Sequence, residues 1–579
     1  MCFDKATVAE AFNHFFVTVA STLVNKLPTG LGRYGMDFVN DFYRKKNVKQ
    51  NSFDLSQVSE EKVQKLLLKI NASKSTGLDN LPAKFLKEAA PIIGKPLTHI
   101  INLSIESGEV PCDMKSARVV PIYKKNSKTE AGNYRPVSIL SVVSKIFERI
   151  MYDQLESYIK GESLLYEFQS GFRPSFSTDT CLIHLSDFIR KAWDKGNYTG
   201  MVVLDLQKAF DTVDHTILLG KMRALGLTDN SIKWFDSYLT GRSQVVDIDG
   251  VHSGPKGITC GVPQGSILGP LLFLIYVNDM ADAVKCKLLL YADDSALMVS
   301  HSDVNIIQER LSTELEAVKE WLIDNKLSLH LGKTESILFG TKRKLAKHSE
   351  LNIKCGDTFI LPKSEIKYLG LDLDQSLSGE ITGKKVIKKA NSRLRFLYRK
   401  ARYLNFYTKK LLVAALIQCH YDYGCSIWFQ SLTQQTKCKL QTTQNKIIRN
   451  VLGLTPRSHI GAGEFLRLNW LPVQHRVSQI MISHMFRILN GSSPSYLGGE
   501  IIKSQNVHTH NTRSGSMSLF KPRMGSQGQK NIFVQCNYPV ELTSQNIQSQ
   551  QCKDIFKKEV KRFFLDQLQD SELNSFIYS

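Results

Sequence analysis

The sequence predicts an α+β protein whose strand-rich centre carries acids at its strand ends, flanked by helical segments and a basic tail. Tyr291-Ala292-Asp293-Asp294 closes the apolar run Leu288-Leu289-Leu290 and leads into Ser295-Ala296-Leu297-Met298-Val299. That pattern reads as two strands joined by a tight, carboxylate-bearing turn. Met201-Val202-Val203-Leu204-Asp205-Leu206 is a further apolar strand carrying one acid. Apolar residues at helical spacing mark both ends of the chain.

In chain order, residues 1–104 read as a helical extension. Ser59 can cap a helix with Glu60 and Glu61 in its first turn, and Val63, Leu66, Leu67 and Ile70 form its apolar face. Lys74-Ser75-Thr76-Gly77-Leu78-Asp79 is a basic, turn-like stretch. Residues 105–374 alternate strands and helices. Within them Leu311, Leu315, Val318 and Leu322 share a helix face, and Leu327, Leu329 and Leu331 alternate as a strand does. Residues 375–455 return to helices. Val386, Ala390, Leu394 and Leu397 face one way there, with Lys388, Lys389, Arg393, Arg395 and Arg399 on the rest. Residues 456–579 form a basic C-terminal region whose last helical pattern is Phe556, Val560 and Phe564.

Composition narrows the class. At 579 residues more than one domain is expected. There is no run of eighteen apolar residues, so no membrane span is expected. Met1-Cys2-Phe3-Asp4-Lys5 does not read as a secretory signal. Eleven cysteines are scattered without CxxC spacing, which fits a reducing compartment and argues against a zinc finger or disulfide framework. The histidines form no ligand-spaced cluster with them. The net charge of +21 is uneven: 29 Lys and Arg stand against 10 Asp and Glu from Gln375 onward, and 46 against 44 before it. Such a concentration is the footprint of a nucleic-acid-binding face, or of a solvated basic surface.

Adjacent acids after an apolar strand repel one another, and burial penalises each. A magnesium ion removes that cost, with one or two carboxylates and substrate phosphates as ligands. Alone, an Asp-Asp turn is more often simply solvated. Asp205, 88 positions before Asp293, changes this. Two strands of one sheet can then supply carboxylates for a pair of metal ions that clamp the attacking and leaving oxygens of an in-line displacement. The backbone carbonyl of Leu206 is a further candidate ligand.

At this point the chain resembles the reverse transcriptases of non-LTR (LINE-type) retrotransposons, the jockey-like members most of all. The resemblance rests on ordered blocks. They are Lys74 to Asp79, Ala117-Arg118-Val119-Val120-Pro121-Ile122-Tyr123-Lys124-Lys125, Asn133-Tyr134-Arg135-Pro136-Val137-Ser138, Gln169-Ser170-Gly171-Phe172-Arg173 and the Asp205 block. Then follow Gly261-Val262-Pro263-Gln264-Gly265-Ser266-Ile267-Leu268-Gly269-Pro270, the Asp293 turn, Asn325-Lys326-Leu327-Ser328-Leu329 with Lys333-Thr334, and Tyr368-Leu369-Gly370. Weaker likeness continues through Leu471-Pro472-Val473, Pro494-Ser495-Tyr496-Leu497 and Asn511-Thr512-Arg513-Ser514.

The resemblance implies a right-hand polymerase with fingers and an antiparallel-sheet palm in 105–374 and a helical thumb in 375–455. It implies Asp205, Asp293 and Asp294 as catalytic metal ligands with the Leu206 carbonyl, two Mg2+ ions, and transfer of dNMP to a primer 3′-hydroxyl on an RNA template. Phe210 matches an aromatic that lies under the sugar and excludes a 2′-hydroxyl. Gln264 matches a residue beside the nascent base pair, and Gly265 lets backbone approach the template. Lys124 and Arg135 match fingers cations that grip the triphosphate. Lys333 matches a lysine proposed to protonate departing pyrophosphate. For each, the plain reading remains open: a core Phe, a simple turn, surface cations.

Two other readings stand beside RNA-directed DNA polymerase. An RNA-directed RNA polymerase would share the palm carboxylates, but Phe210 and the Pro-Gln-Gly block argue against it. A catalytically inactive relic that only binds RNA is opposed by the intact acids. Full-length relatives usually carry an upstream endonuclease. About a hundred residues precede the fingers here, and Phe12 to Phe16 already resembles the linker before the polymerase, so a truncated reading frame is expected. Expected partners are an RNA template, a DNA primer or target, and dNTPs, in a ribonucleoprotein of nucleus and cytoplasm. Lys342-Arg343-Lys344 is too short a basic run to decide import.

Overall fold

The computed structural model describes residues 4–348, 350–499 and 553–568. Its strands, in chain order, are β1 (Ser116–Tyr123), β2 (Tyr134–Ile139), β3 (Tyr198–Leu204), β4 (Leu206–Gln207), β5 (Arg242–Ile248) and β6 (Val251–His252). They continue with β7 (Lys256–Ile258), β8 (Lys287–Tyr291), β9 (Asp294–His301), β10 (Ser328–Leu329) and β11 (Glu335–Phe339). The chain forms two compact units. One comprises Met1–Phe172, Leu204–Lys285 and Thr313–Leu331; the other comprises Arg173–Val203, Cys286–Ser312 and Gly332–Ser579.

In the first unit a mixed sheet runs β2-β1-β5-β6, with β7 also on β5. β1 and β2 form an antiparallel hairpin, whereas β1 and β5 are parallel. The helix Lys5–Val24 lies on this sheet through Ala9 and Phe16, which cluster with Val119 and Val246. A buried polar clamp fixes it: Asn13 donates to Ser253 Oγ at 2.9 Å and to the Gly254 carbonyl at 2.7 Å, and accepts from Gln244 at 3.0 Å. A buried amide is tolerated because these bonds satisfy it. The expected cap at Ser59 forms, accepting from the Lys62 amide, and Val63 and Leu67 are buried beneath the helix Glu60–Leu68. The last helix of this region, Ala90–Ser107, runs a few residues past 104.

The deepest feature of the first unit is ionic. Lys221, in the helix His215–Ala224, is 1% exposed and Asp279 is 0% exposed. The Lys221 ammonium donates to Asp279 Oδ1 at 2.5 Å and to the Tyr276 carbonyl at 2.6 Å. Trp321 donates to the other Asp279 oxygen at 2.9 Å. Burial lowers the Lys221 ammonium below its ordinary range, with Asp279 opposing. This knot ties three chain segments together.

The second unit holds a sheet ordered β11-β3-β9-β8, with the short strand Leu361–Pro362 outside β11. β11 and β3 are antiparallel, Glu335 opposite Val203 and Phe339 opposite Thr199. Gly200 in β3 is required by packing, because a Cβ there would sit 2.4 Å from Ile307 and 2.8 Å from Leu311. The helix faces read from spacing are where they should be. Leu311, Leu315, Val318 and Leu322 are buried within Val304–Asp324, as are Val386, Ala390, Leu394 and Leu397 within Glu380–Lys400. Phe556, Val560 and Phe564 on the helix Lys553–Gln567 join Leu471, Ile482 and Phe486, with Phe486 and Phe556 stacked at 3.8 Å. The strand expected over 327–331 is shorter. Only Ser328–Leu329 pair, against β4 and within the first unit, and a 3-10 turn over Leu331–Lys333 follows. Residues 511–514 lie outside the described residues.

Candidate active site

Tyr291 pairs with Asp294 across the end of the β8–β9 hairpin, leaving Ala292-Asp293 as a two-residue turn. Leu288, Leu289 and Leu290 are buried while Asp293 and Asp294 are exposed, so the apolar strand pushes its acids outward. Ala292 has φ +58°, a left-handed conformation that costs a non-glycine residue roughly 1–2 kcal/mol. The turn persists because the apolar strands on both sides hold it.

The sheet sets the acids on one edge. Thr199 near the start of β3 shares a 2.8 Å hydroxyl bond with Ser300 near the end of β9. These strands therefore run oppositely, and the end of β3 lies beside the start of β9. Asp205 is the residue that follows β3, and Asp294 is the first of β9. Glu335 at the start of β11 faces Val203, so exposed Lys333, two residues earlier, belongs to that same edge. One end of the sheet thus gathers Asp293, Asp294, Lys333 and the strand that delivers Asp205. Among the described residues no three His, Cys, Asp or Glu side chains converge into a ready metal cage. The donor set fits a hard cation held by two carboxylates and completed by a backbone carbonyl and substrate phosphates.

Within the first unit, Asp205 is anchored by its backbone carbonyl, which accepts from the His330 amide at 2.8 Å. Leu206 pairs with Leu329 in the short β4–β10 ladder. A turn follows, with Lys208 at φ +48°. Phe210 stacks on Phe273 at 4.3 Å and meets Phe172 edge-on at 6.0 Å. Its carbonyl accepts from the Val262 amide at 2.9 Å, which joins this turn to the Pro263-Gln264-Gly265 loop. That loop is also pinned to β2, because Ser138 donates its amide to the Gln264 carbonyl at 2.7 Å. Gly265 has φ +125°, and a Cβ there would lie 2.4 Å from the Ser138 carbonyl, so no larger residue fits.

Asp211 and Lys208 belong to this site, and sequence reasoning had not singled them out. Gln264 donates its side-chain amide to Asp211 Oδ1 at 2.8 Å. Asp211 Oδ2 is enclosed and has no hydrogen-bond partner among the described residues. Burial raises the Asp211 carboxyl above its ordinary range, while Lys208 and Gln264 pull it down. Burial lowers the half-buried Lys208 ammonium, with Asp211 opposing. The only sequence signal was two more acids, Asp211 and Asp214, close behind Asp205. Lys124 and Arg135 are exposed at the loop end of the β1–β2 hairpin, where the Lys124 amide donates to the Asn133 carbonyl at 2.9 Å and Arg135 pairs with Ile122.

The strand-borne acid and the glycine loop clamped to an aromatic turn belong to the first unit, and the two-acid hairpin belongs to the second. Residues 122–373 match the reverse transcriptase (RNA-dependent DNA polymerase) family. These residues carry a reverse transcriptase domain, and the chain is similar to polymerases of transposons and mobile elements. It is 28% identical over 418 residues to the "Probable RNA-directed DNA polymerase from transposon BS" of Drosophila melanogaster, covering 69% of this chain and 45% of that protein. It is 30% identical over 341 residues to the "RNA-directed DNA polymerase from mobile element jockey" of Drosophila funebris, covering 57% and 36%. To the "Probable RNA-directed DNA polymerase from transposon X-element" of Drosophila melanogaster it is 27% identical over 374 residues, covering 62% and 40%. The chain spans less than half the length of these relatives. Among the described residues no helix is long and apolar enough to cross a membrane.

Proposed function

We propose that this chain is an RNA-directed DNA polymerase that extends a DNA primer on an RNA template. The observation that carries the reading is the single sheet edge that holds the Asp293-Asp294 turn beside the strand leading into Asp205. Asp205, Asp293 and Asp294, with the Leu206 carbonyl, are the proposed ligands of divalent metal. Magnesium, as two ions, would supply charge neutralisation at the attacking 3′-hydroxyl and the departing pyrophosphate. Phosphoryl transfer needs little covalent help, so the chain's own part is positioning. In this reading Lys124 and Arg135 hold triphosphate oxygens and Lys333 delivers a proton to the leaving group. The palm and fingers occupy residues 105–374. The helices of 375–455, whose outer face is cationic, form a thumb on the nucleic acid. The deciding assay is magnesium-dependent dNTP incorporation by the full chain on a primed RNA; none under any divalent metal would favour the inactive RNA-binding relic.

Phe210 is proposed as the gate against a 2′-hydroxyl. Its ring is held by Phe273 and Phe172, so it cannot swing aside cheaply. Phe210→Ala should lower dNTP-over-rNTP selectivity by at least about tenfold, about 1.4 kcal/mol of discrimination. Phe210→Tyr keeps the ring and should keep the selectivity. Equal selectivity in all three proteins would reject the gate.

Asp211 acts at one remove, by orienting Gln264. Losing one such hydrogen bond costs about 1 kcal/mol, or roughly fivefold. Asp211→Ala should therefore raise the KM for dNTP about fivefold with a smaller change in kcat. Asp211→Asn retains an acceptor oxygen and should restore KM. A fall in kcat alone, unrescued by Asn, would show a role other than positioning.

A further inference from the structure

The second unit contains a cavity of about 180 Å³, lined in part by Gln418, Gln444, Asn469, Trp470, Arg476 and Lys561. That is room for far more than a single water. Ala414 and Gln418 bring to its wall the π-helical segment Ala414–Gln418, which interrupts the helices on either side. Such segments are rare and occur frequently at functional sites. Lys561 comes from the C-terminal helix Lys553–Gln567, docked on Val473–Leu489 by the Phe486–Phe556 stack. The wall is therefore assembled from elements far apart in sequence.

The charges of this cavity do not balance. Arg476 grips Asp422 with two bonds, at 3.1 and 2.7 Å, and donates to Gln479 at 2.8 Å, so the two charges of that pair offset one another and Lys561 is the surplus. Gln418 donates to the same Asp422 at 2.8 Å. Lys561 is half-buried, and among the described residues no carboxylate lies within 4.0 Å of it. Burial lowers its ammonium, and so do the neighbouring charges of Arg476, Lys410 and Lys557. A cation with no carboxylate beside it in a partly desolvated cavity is costly, and an anion removes that cost. The surroundings favour an anion, and a polyanionic phosphate most. Between Glu380 and Asp422 the chain has eleven Lys and Arg and no acid, and that stretch runs directly into the cavity wall.

We propose that this cavity is a phosphate-binding site, in which Lys561 holds a phosphate group beside the Asp422-paired Arg476. The group belongs either to a nucleic-acid backbone or to a free phosphate compound; the chemistry of recognition is the same. The site is separate from the hairpin acids and does not depend on their turnover.

The test uses the full chain and inorganic phosphate. Unfolding midpoints are measured in sodium phosphate and in sodium chloride at equal ionic strength, for the wild type and Lys561→Gln. Phosphate stabilises proteins generally by exclusion, so the variant supplies that background. The expected result is an additional phosphate gain in the wild type that Lys561→Gln lacks. In chloride the variant should be no less stable, because one of several like charges has gone. Equal phosphate gains in the two proteins would overturn the site. So would the absence of saturable heat when phosphate is titrated into the wild type, a measurement that needs no variant. Binding of a labelled single-stranded RNA then separates the sources. Weaker binding by Lys561→Gln, with the salt slope reduced by about one charge, assigns a backbone phosphate. Unchanged RNA binding with loss of the phosphate gain assigns a free phosphate compound.

Discussion

Asp293→Asn should abolish primer extension while leaving the protein folded. The substitution keeps the size and one oxygen of the side chain and removes its charge. Losing one preorganised electrostatic stabiliser at a reacting centre costs on the order of 10² to 10³ in rate, and a carboxylate shared by metal ions should cost at least that. Asp293 is exposed in a two-residue turn, and surface changes of this kind usually alter stability by no more than about 0.5 kcal/mol. The predicted signature is therefore an unchanged unfolding midpoint with incorporation at background. Asp205→Asn should behave alike, because it arrives at the same sheet edge from β3. If Asp293→Asn extends primers at the wild-type rate, the turn is only a solvated hairpin and Asp293 leaves the catalytic set. Raising magnesium in a partly active variant adds a second readout: rescue at high metal would show that the lost charge served metal affinity.

Much of this arrangement was legible in the sequence because it is local. The Asp293 turn is flanked by continuous apolar runs, Leu288 to Leu290 and Ala296 to Val299. The faces Leu311, Leu315, Val318, Leu322 and Val386, Ala390, Leu394, Leu397 repeat at helical spacing, and both are buried. The hydrogen bond of Gln264 to Asp211 was not legible, because it joins residues 53 apart and neither is unusual alone. Nothing local marks Lys221 as buried, because its partner Asp279 is 58 positions away. The π-helical segment at Ala414–Gln418 has no periodicity of its own to betray it. The short β10 strand shows the converse failure. Leu327, Leu329 and Leu331 alternate, but only two residues find a partner, because β4 offers no more edge.

The Lys221–Asp279 pair should be the most expensive single point of failure in the fold. Both groups are essentially inaccessible, so taking them out of water is repaid only by their mutual attraction and by the bonds from Trp321 and to the Tyr276 carbonyl. The ammonium also sits 4.7 Å from the Trp321 ring centre and 5.0 Å from that of Tyr276, contacts that favour the charged form. Lys221→Met fills similar space but strands the Asp279 carboxylate in an apolar setting. Breaking a buried pair from one side costs about 3–5 kcal/mol. Urea unfolding followed by tryptophan fluorescence should show that loss as a lower midpoint at constant slope. Adding Asp279→Asn to Lys221→Met removes the stranded charge and leaves an amide oxygen to accept from Trp321, so the double variant should regain more than half of it. The gain of the double over the single measures the penalty of the unpaired charge, and the cycle of four proteins gives the coupling itself. A single variant that costs less than about 1 kcal/mol, or a double no better than the single, would mean that the pair is not the brace the geometry describes. Tyr276 also donates to the Asn325 carbonyl at 2.6 Å, and the Asp214 amide donates to the same hydroxyl at 3.3 Å. Loosening the pair should therefore disturb the turn through Phe210 and Asp211, and nucleotide selectivity should fall in Lys221→Met before global unfolding begins.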